Sequence, residues 1–196
     1  MAQSWRLFIA IELPDDIIRQ IAHIQQQFER QIPARAVRWV KPDSIHLTLK
    51  FLGDVETDRV DSLKSSLDEA AAAHAPFSLE VAAPGCFPNT RNPRVLWLGL
   101  EGDLDLLGAV QQSVEQAMTE LGFEPEDRGF SPHLTLARVQ RNASRDDASR
   151  VGLAAERGVA QPIEGWTVES LSLMRSQLKP SGSVYTELHR APLGDD

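Results

Sequence analysis

The tetrapeptide His46-Leu-Thr-Leu49 returns as His133-Leu-Thr-Leu136, and this repeat constrains the chain more than any other feature. At ordinary composition a His-x-Thr triplet is expected roughly 0.2 times in a chain of this length. Two copies with both leucines matched are therefore a signal. Each copy sits in a run with strand character, over 44–52 and 131–139. Side chains alternate faces along a strand, so His and Thr share one face and the two leucines share the other. One face is fitted for chemistry and the other for packing under helices. The copies are 87 residues apart (133 − 46), close to half of the 196-residue chain. That spacing predicts two related halves, each giving one motif strand to a shared groove, although little else in the two halves looks alike.

Helical and alternating spacings place the other elements around these strands. A strand is expected over 6–13. A helix should follow from Pro14, with Asp15 and Asp16 at its positive end, to about residue 30. A short strand is expected over 36–40 and, after the first motif, a helix capped by Thr57 and running to about residue 73. Strands are expected over 77–83 and 95–100, separated by a broad loop containing Pro84, Gly85, Pro88, Asn89 and Pro93. A third helix should end at Gly122, followed by the second motif and a polar helix or loop over 141–158. The chain should close with strands over 167–174 and 185–189 joined through a turn at 179–183. Short links between strands predict an α+β fold with antiparallel sheets covered by helices.

Two histidines facing one cleft supply both proton transfers of a hydrolysis: a neutral imidazole takes a proton from water, and an imidazolium gives one to the leaving oxygen. Hydroxyls and imidazoles converging from two sides suit a tetrahedral oxyanion such as phosphate. A net charge of −8 argues against a protein that coats long nucleic acid but leaves room for a small local anion site. Single Cys86 gives no disulfide framework, and no His-x-His, His-Glu-x-x-His or Gly-x-Ser-x-Gly pattern is present. No metal and no cofactor are expected. With no apolar run long enough for a membrane span or a signal peptide, the expectation is a soluble cytoplasmic protein that makes no membrane contact.

The chain resembles the two-histidine phosphoesterases, and within them the bacterial RNA 2′,3′-cyclic phosphodiesterases, also called 2′-5′ RNA ligases. The resemblance rests on both tetrapeptides and on Arg6-Leu-Phe-Ile-Ala-Ile11, Lys50-Phe-Leu-Gly53, Arg94-Val-Leu-Trp-Leu-Gly99, Ala137-Arg138 and Leu171-Ser-Leu-Met-Arg-Ser176, with Gly182 and Tyr185 beyond. It implies a single bilobed catalytic domain over 1–196, with two antiparallel sheets lining a pseudo-twofold central groove and helices outside. It implies metal-independent hydrolysis of a terminal 2′,3′-cyclic phosphate, on RNA ends or small nucleotides, to a 2′-phosphate. His46 would be the general acid at the 3′ oxygen and His133 the general base. Thr48 and Thr135 would hold phosphate oxygens, and Arg138 would neutralise phosphate charge. By strict alternation Arg138 faces away from His133, so that role requires the strand to end or bulge there.

Other residues have competing roles. Phe8 is a candidate for stacking a nucleobase, against core packing. Lys50, in phase with His46 and Thr48, is a candidate for the groove rim, against an equally good reading as a solvated strand-end lysine. Trp39 and Trp97 are read as core rather than base platforms, and Tyr185 is a candidate to reach substrate, against the packing usual for a strand tyrosine. Arg138, Arg141 and Arg145 either guide an RNA end or form a solvated face. His23, His74 and His189 receive no catalytic role. The competing functions are a 2′-5′ ligase or phosphodiesterase or a cyclic-nucleotide phosphoesterase on the same site, and a nucleotide-binding module without turnover. A monomer is expected.

Overall fold

In the computed structural model, which describes residues 3–158, 165–179 and 182–195, nine strands and four α-helices alternate along the chain. The strands are β1 (Ser4–Glu12), β2 (Val37–Trp39), β3 (His46–Glu56), β4 (Phe77–Phe87), β5 (Val95–Gly102), β6 (Leu134–Val139), β7 (Trp166–Val168), β8 (Ser170–Lys179) and β9 (Gly182–Pro192). The helices are α1 (Asp15–Glu29), α2 (Val60–Ala72), α3 (Leu104–Glu120) and α4 (Arg145–Arg157).

All strand pairings are antiparallel, and the order is β7-β4-β5-β6-β3-β1-β8-β9, with β2 on the free stretch of β6. Each half of this order is a four-stranded sheet. Among the described residues their strands pair only where β3 touches β6, at Leu47 opposite Leu134. The second residue of each tetrapeptide thus forms the seam, which brings both motifs to the centre of a curled sheet. The two expected sheets are continuous through this one pair.

Helical spacing gives each helix one apolar stripe. Ile17, Ile21, Ile24 and Phe28 of α1, Val60, Leu63 and Leu67 of α2, and Leu107, Val110, Val114 and Met118 of α3 are buried in one core with Leu47, Leu49, Leu134 and Leu136. A second, small cluster of Phe8, Ala10 and Met174, with Tyr185 against it, lies apart from that core. It forms the floor of the groove in the first half.

Several local expectations change. Pro14 is the residue before α1 rather than its first turn, and its carbonyl accepts from Ile18 N at 3.0 Å. Thr57 opens a 3-10 turn, Thr57–Arg59, and caps nothing with its side chain. Gly122 does end α3, with φ +85° and its N–H on the Thr119 carbonyl. β4 continues through Pro84 and Gly85 to Phe87, where a loop was expected. The cause is tertiary: the Trp97 ring of β5 lies over Gly85, where any Cβ would overlap it. His133 immediately precedes β6 rather than lying within it. The final hairpin forms as expected, although residues 180 and 181 of its turn lie outside the described residues. Among the described residues no helix is long and apolar enough to cross a membrane.

Candidate active site

Each motif histidine is held by its own strand entry. His46 Nδ1 donates to the Ser44 carbonyl at 3.0 Å, and His133 Nδ1 donates to the Ser131 carbonyl at 2.8 Å. A carbonyl only accepts, so both rings carry their proton on Nδ1 when neutral. Nε2 is then the atom available for proton exchange. His46 packs against Phe8 (centroids 4.8 Å) and edge-on to Tyr185 (5.0 Å), while His133 packs edge-on to Phe87 (4.8 Å). Two imidazoles in aromatic sockets therefore have the same backbone anchor, as the pseudo-twofold requires.

Both motif strands carry a bulge at the fourth tetrapeptide residue. Ala10 pairs with Thr48 but Ile9 with Lys50, which leaves Leu49 extra in β3. Trp97 pairs with Thr135 but Leu96 with Ala137, which leaves Leu136 extra in β6. One extra residue reverses the alternation beyond it. Leu49 and Lys50 both turn to the buried side, as do Leu136 and Ala137, and the next residues, Phe51 and Arg138, emerge on the histidine face. Arg138 thus meets the condition that alternation set for it. The second bulge has a visible support: buried Gln25 of α1 donates through Nε2 to the Leu136 carbonyl at 3.1 Å and the Val40 carbonyl at 2.8 Å.

The same bulge overturns the rim placement of Lys50. Lys50 is 5% exposed and points into the protein, where its ammonium pairs with Glu115 of α3 and donates to the Glu124 carbonyl at 3.0 Å. Phe51 takes the rim instead, 67% exposed, and sequence alternation had passed over it. Phe8 lines the groove but is only 2% exposed, with its ring sandwiched among His46, Phe51 and Tyr185. It is the floor beneath His46, and the open aromatic face in the groove belongs to Phe51.

His46, His133, Thr48, Thr135, Arg138, Phe8 and Phe51 line one cavity of about 340 Å³. Arg6, Ser176, Ser183 and Tyr185 complete its polar edge. The chain has 28 acidic residues, yet among the described residues none lines this cavity. A cavity of that size, with two arginines and no carboxylate, fits a single nucleotide's worth of anion. Burial pulls the His46 imidazole down to about 4, opposed by its bond to the Ser44 carbonyl and aided by the facing His133. Burial also lowers His133, and Arg138 adds to that. Glu12, opposite His46 across β1 and β3, is pushed up to about 7 by burial and by its neighbour Glu187. It is thus largely neutral in the range where His46 titrates. Among the described residues no three His, Cys, Asp or Glu side chains cluster as a metal site.

The description LigT-like phosphoesterase matches the chain twice, over residues 11–97 and 99–185, with one tetrapeptide in each match. The chain belongs to the LigT-like phosphoesterase family. Each match carries one motif strand, but the sheet halves mix the two segments: β4 and β5 pair on the β6 side, and β8 and β9 on the β3 side. The RNA 2′,3′-cyclic phosphodiesterase of Methanothermobacter thermautotrophicus is 32% identical over 185 residues, 93% of this chain and 96% of that protein. The enzyme of the same name from Thermus thermophilus is 33% identical over 193 residues, 96% of this chain and 90% of that one. Escherichia coli LigT in complex with 3′-AMP superposes with a TM-score of 0.73 at 28% identity, over 97% of this chain and 99% of LigT.

Proposed function

We propose that this LigT-like phosphoesterase opens a terminal RNA 2′,3′-cyclic phosphate to a 2′-phosphate, using His46 as general acid and His133 as general base. The observation that carries the reading is the cavity itself: two back-anchored imidazoles, two threonines and two arginines, with no carboxylate in the lining. The relatives that bear this activity in their names, and the LigT structure that holds 3′-AMP, support it.

In the reaction water attacks phosphorus in line with the 3′ oxygen. His133 Nε2 takes the water proton, and Nε2–H of His46 gives a proton to O3′ as the P–O3′ bond breaks. The product is a 2′-phosphate monoester with a free 3′-hydroxyl. Solvent then restores the proton to His46 and removes it from His133. Thr48 and Thr135 donate to non-bridging oxygens, where charge builds in the transition state, and Arg138 neutralises it. The pseudo-twofold is broken in a way that orients the substrate. The equivalent positions after the two bulges hold Phe51 on the His46 side and Arg138 on the His133 side. A nucleobase stacked on Phe51 brings its ribose to His46, which makes His46 the partner of the departing ribose oxygen. His133 then faces the water side of phosphorus.

Incubation with an oligoribonucleotide ending in a 2′,3′-cyclic phosphate tests the reading. Monoester should form at the same rate with and without EDTA. A nucleotide-binding module would retain the cyclic substrate unchanged, and dependence on an added metal would contradict the two-histidine mechanism. Thr48→Val and Thr135→Val should each lower kcat by about 10- to 1000-fold, the range for loss of one transition-state donor. Unchanged kcat in both would remove the threonines from the site.

The lowered histidines predict a specific pH dependence. The reacting form carries one proton on the pair, with His46 charged and His133 neutral. Both imidazoles of the free protein lie below the ordinary value of 6.5, His46 at about 4. Above both values the pair is empty of protons, and below both it holds two. The maximum of kcat/KM therefore falls on the acid side of 6.5, with about a tenfold decline per pH unit on the alkaline limb. A bound anionic phosphate favours the imidazolium, so the kcat optimum should lie at higher pH than that of kcat/KM. Profiles from pH 4 to 9 check this, and coincident optima would contradict it.

A further inference from the structure

Arg38 is a cation that the hydrolysis as described leaves unused. It lies on β2 directly opposite Arg138 of β6. Residues directly opposite in an antiparallel pair project on the same face with Cβ atoms about 4.5–5.5 Å apart. Arg138 lines the cavity, so Arg38 leaves the same face beside it. Like charges so placed destabilise a sheet unless something anionic sits between or above them. Among the described residues no carboxylate lies within ion-pair distance of Arg38, Arg138 or Arg6.

Several arginines elsewhere in the molecule are occupied. Arg35 makes a two-pronged pair with Asp147, Arg59 donates to the Leu121 carbonyl and lies on the Phe123 ring, Arg175 covers Trp5, and Arg190 pairs with Glu12 and Glu187. Others, such as Arg19, Arg30 and Arg141, are in no ion pair among the described residues, so it is placement that singles out Arg38. Arg38 also has a direction. A Cβ at Gly182 would sit 3.1 Å from Arg38 Nη2. Gly182 begins β9, and the neighbouring Leu178 and Ser183 line the cavity from that side. The guanidinium thus reaches from the second half of the sheet to the β8–β9 hairpin of the first, across one edge of the groove.

We infer that Arg38 is a second phosphate site, which takes the phosphodiester on the 5′ side of the terminal nucleoside while Arg138 serves the cyclic phosphate. The inference rests on the hydrolytic reading and deepens it: the preferred substrate is the end of an RNA chain rather than a free cyclic nucleotide. The planar fork of an arginine suits a diester's two non-bridging oxygens. Occupation by phosphate also relieves the Arg38–Arg138 repulsion.

A single chemical difference in the substrate tests it. Nucleoside 2′,3′-cyclic phosphates with a 5′-hydroxyl and with a 5′-phosphate are compared at low salt, and the ratio of their kcat/KM values is read. In the unaltered protein the 5′-phosphate should raise kcat/KM by roughly 5- to 20-fold, the scale of one partly solvated arginine–phosphate contact. In Arg38→Ala the ratio should collapse toward one, and Arg38→Lys should keep part of it. A ratio of one in the unaltered protein, or a full ratio retained in Arg38→Ala, would overturn the second phosphate site alone. Turnover of neither substrate would overturn the hydrolytic reading together with it.

Discussion

His46→Ala and His133→Ala should each lower kcat by about 10²- to 10⁴-fold, the range for loss of one positioned acid or base. The double variant should lose little more than the worse single one, because acid and base serve one concerted step. The two losses should differ in their pH dependence. Without His133 the remaining titration is that of the acid, and activity should fall only as pH rises. Without His46 it is that of the base, and activity should fall only as pH drops. Loss of catalysis must be separated from loss of fold, since both rings pack against aromatic neighbours. Stability against pH does this for His46. Its folded value of about 4 lies below the ordinary 6.5, so the unfolded chain binds the proton more tightly. The corresponding stability is present above 6.5 and is lost as pH falls toward 4. His46→Gln should therefore flatten the acid side of the stability curve while removing activity. Near-normal kcat in either alanine variant would end the two-histidine account.

Lys50→Ala should lower unfolding free energy by about 2–4 kcal/mol, because removal of one partner strands a largely buried opposite charge. Lys50 joins three parts of the molecule. It stands on the first motif strand, pairs with Glu115 of α3, and donates to the Glu124 carbonyl in the segment that leads to the second motif. Glu115 in turn accepts from the Glu126 N–H at 2.9 Å. The effect should thus reach activity as well, with kcat reduced through displacement of the approach to His133. In Lys50→Met/Glu115→Leu, packing replaces the pair, and much of the lost stability should return. Denaturant unfolding of the single and double variants measures this. An exposed rim lysine would instead give a change within about 0.5 kcal/mol.

The contrast between Lys50 and Arg138 marks how far the sequence could be read. Period-two alternation and the repeated tetrapeptide located both motif strands, their apolar backs and the shared face of His46, Thr48, His133 and Thr135. The resemblance supplied the family and the bilobed α+β frame, and both hold. Alternation misplaced Lys50 and skipped Phe51, because a bulge is one residue of backbone geometry with no glycine or proline to announce it. Arg138 was recognised only as conditional for the same reason. The condition is met through tertiary support, a glutamine on α1 bonded to the bulged strand from 111 residues away. The strand through Pro84 and Gly85 was read as a loop because its reason lies in another strand, where the Trp97 ring needs the space a side chain would fill. Arg38 attracted no notice in the sequence, since only the β2–β6 pairing sets it beside Arg138.

The most direct test of the account is the position of the phosphate on the product of a cyclic-phosphate-terminated oligoribonucleotide, read by phosphorus NMR with EDTA present. With His46 protonating O3′ and His133 activating water in line with it, the P–O3′ bond breaks and the product is a 2′-phosphate. A 3′-phosphate would show that the other ester oxygen leaves and would contradict the assigned orientation. An unaltered cyclic phosphate would contradict the proposed activity itself.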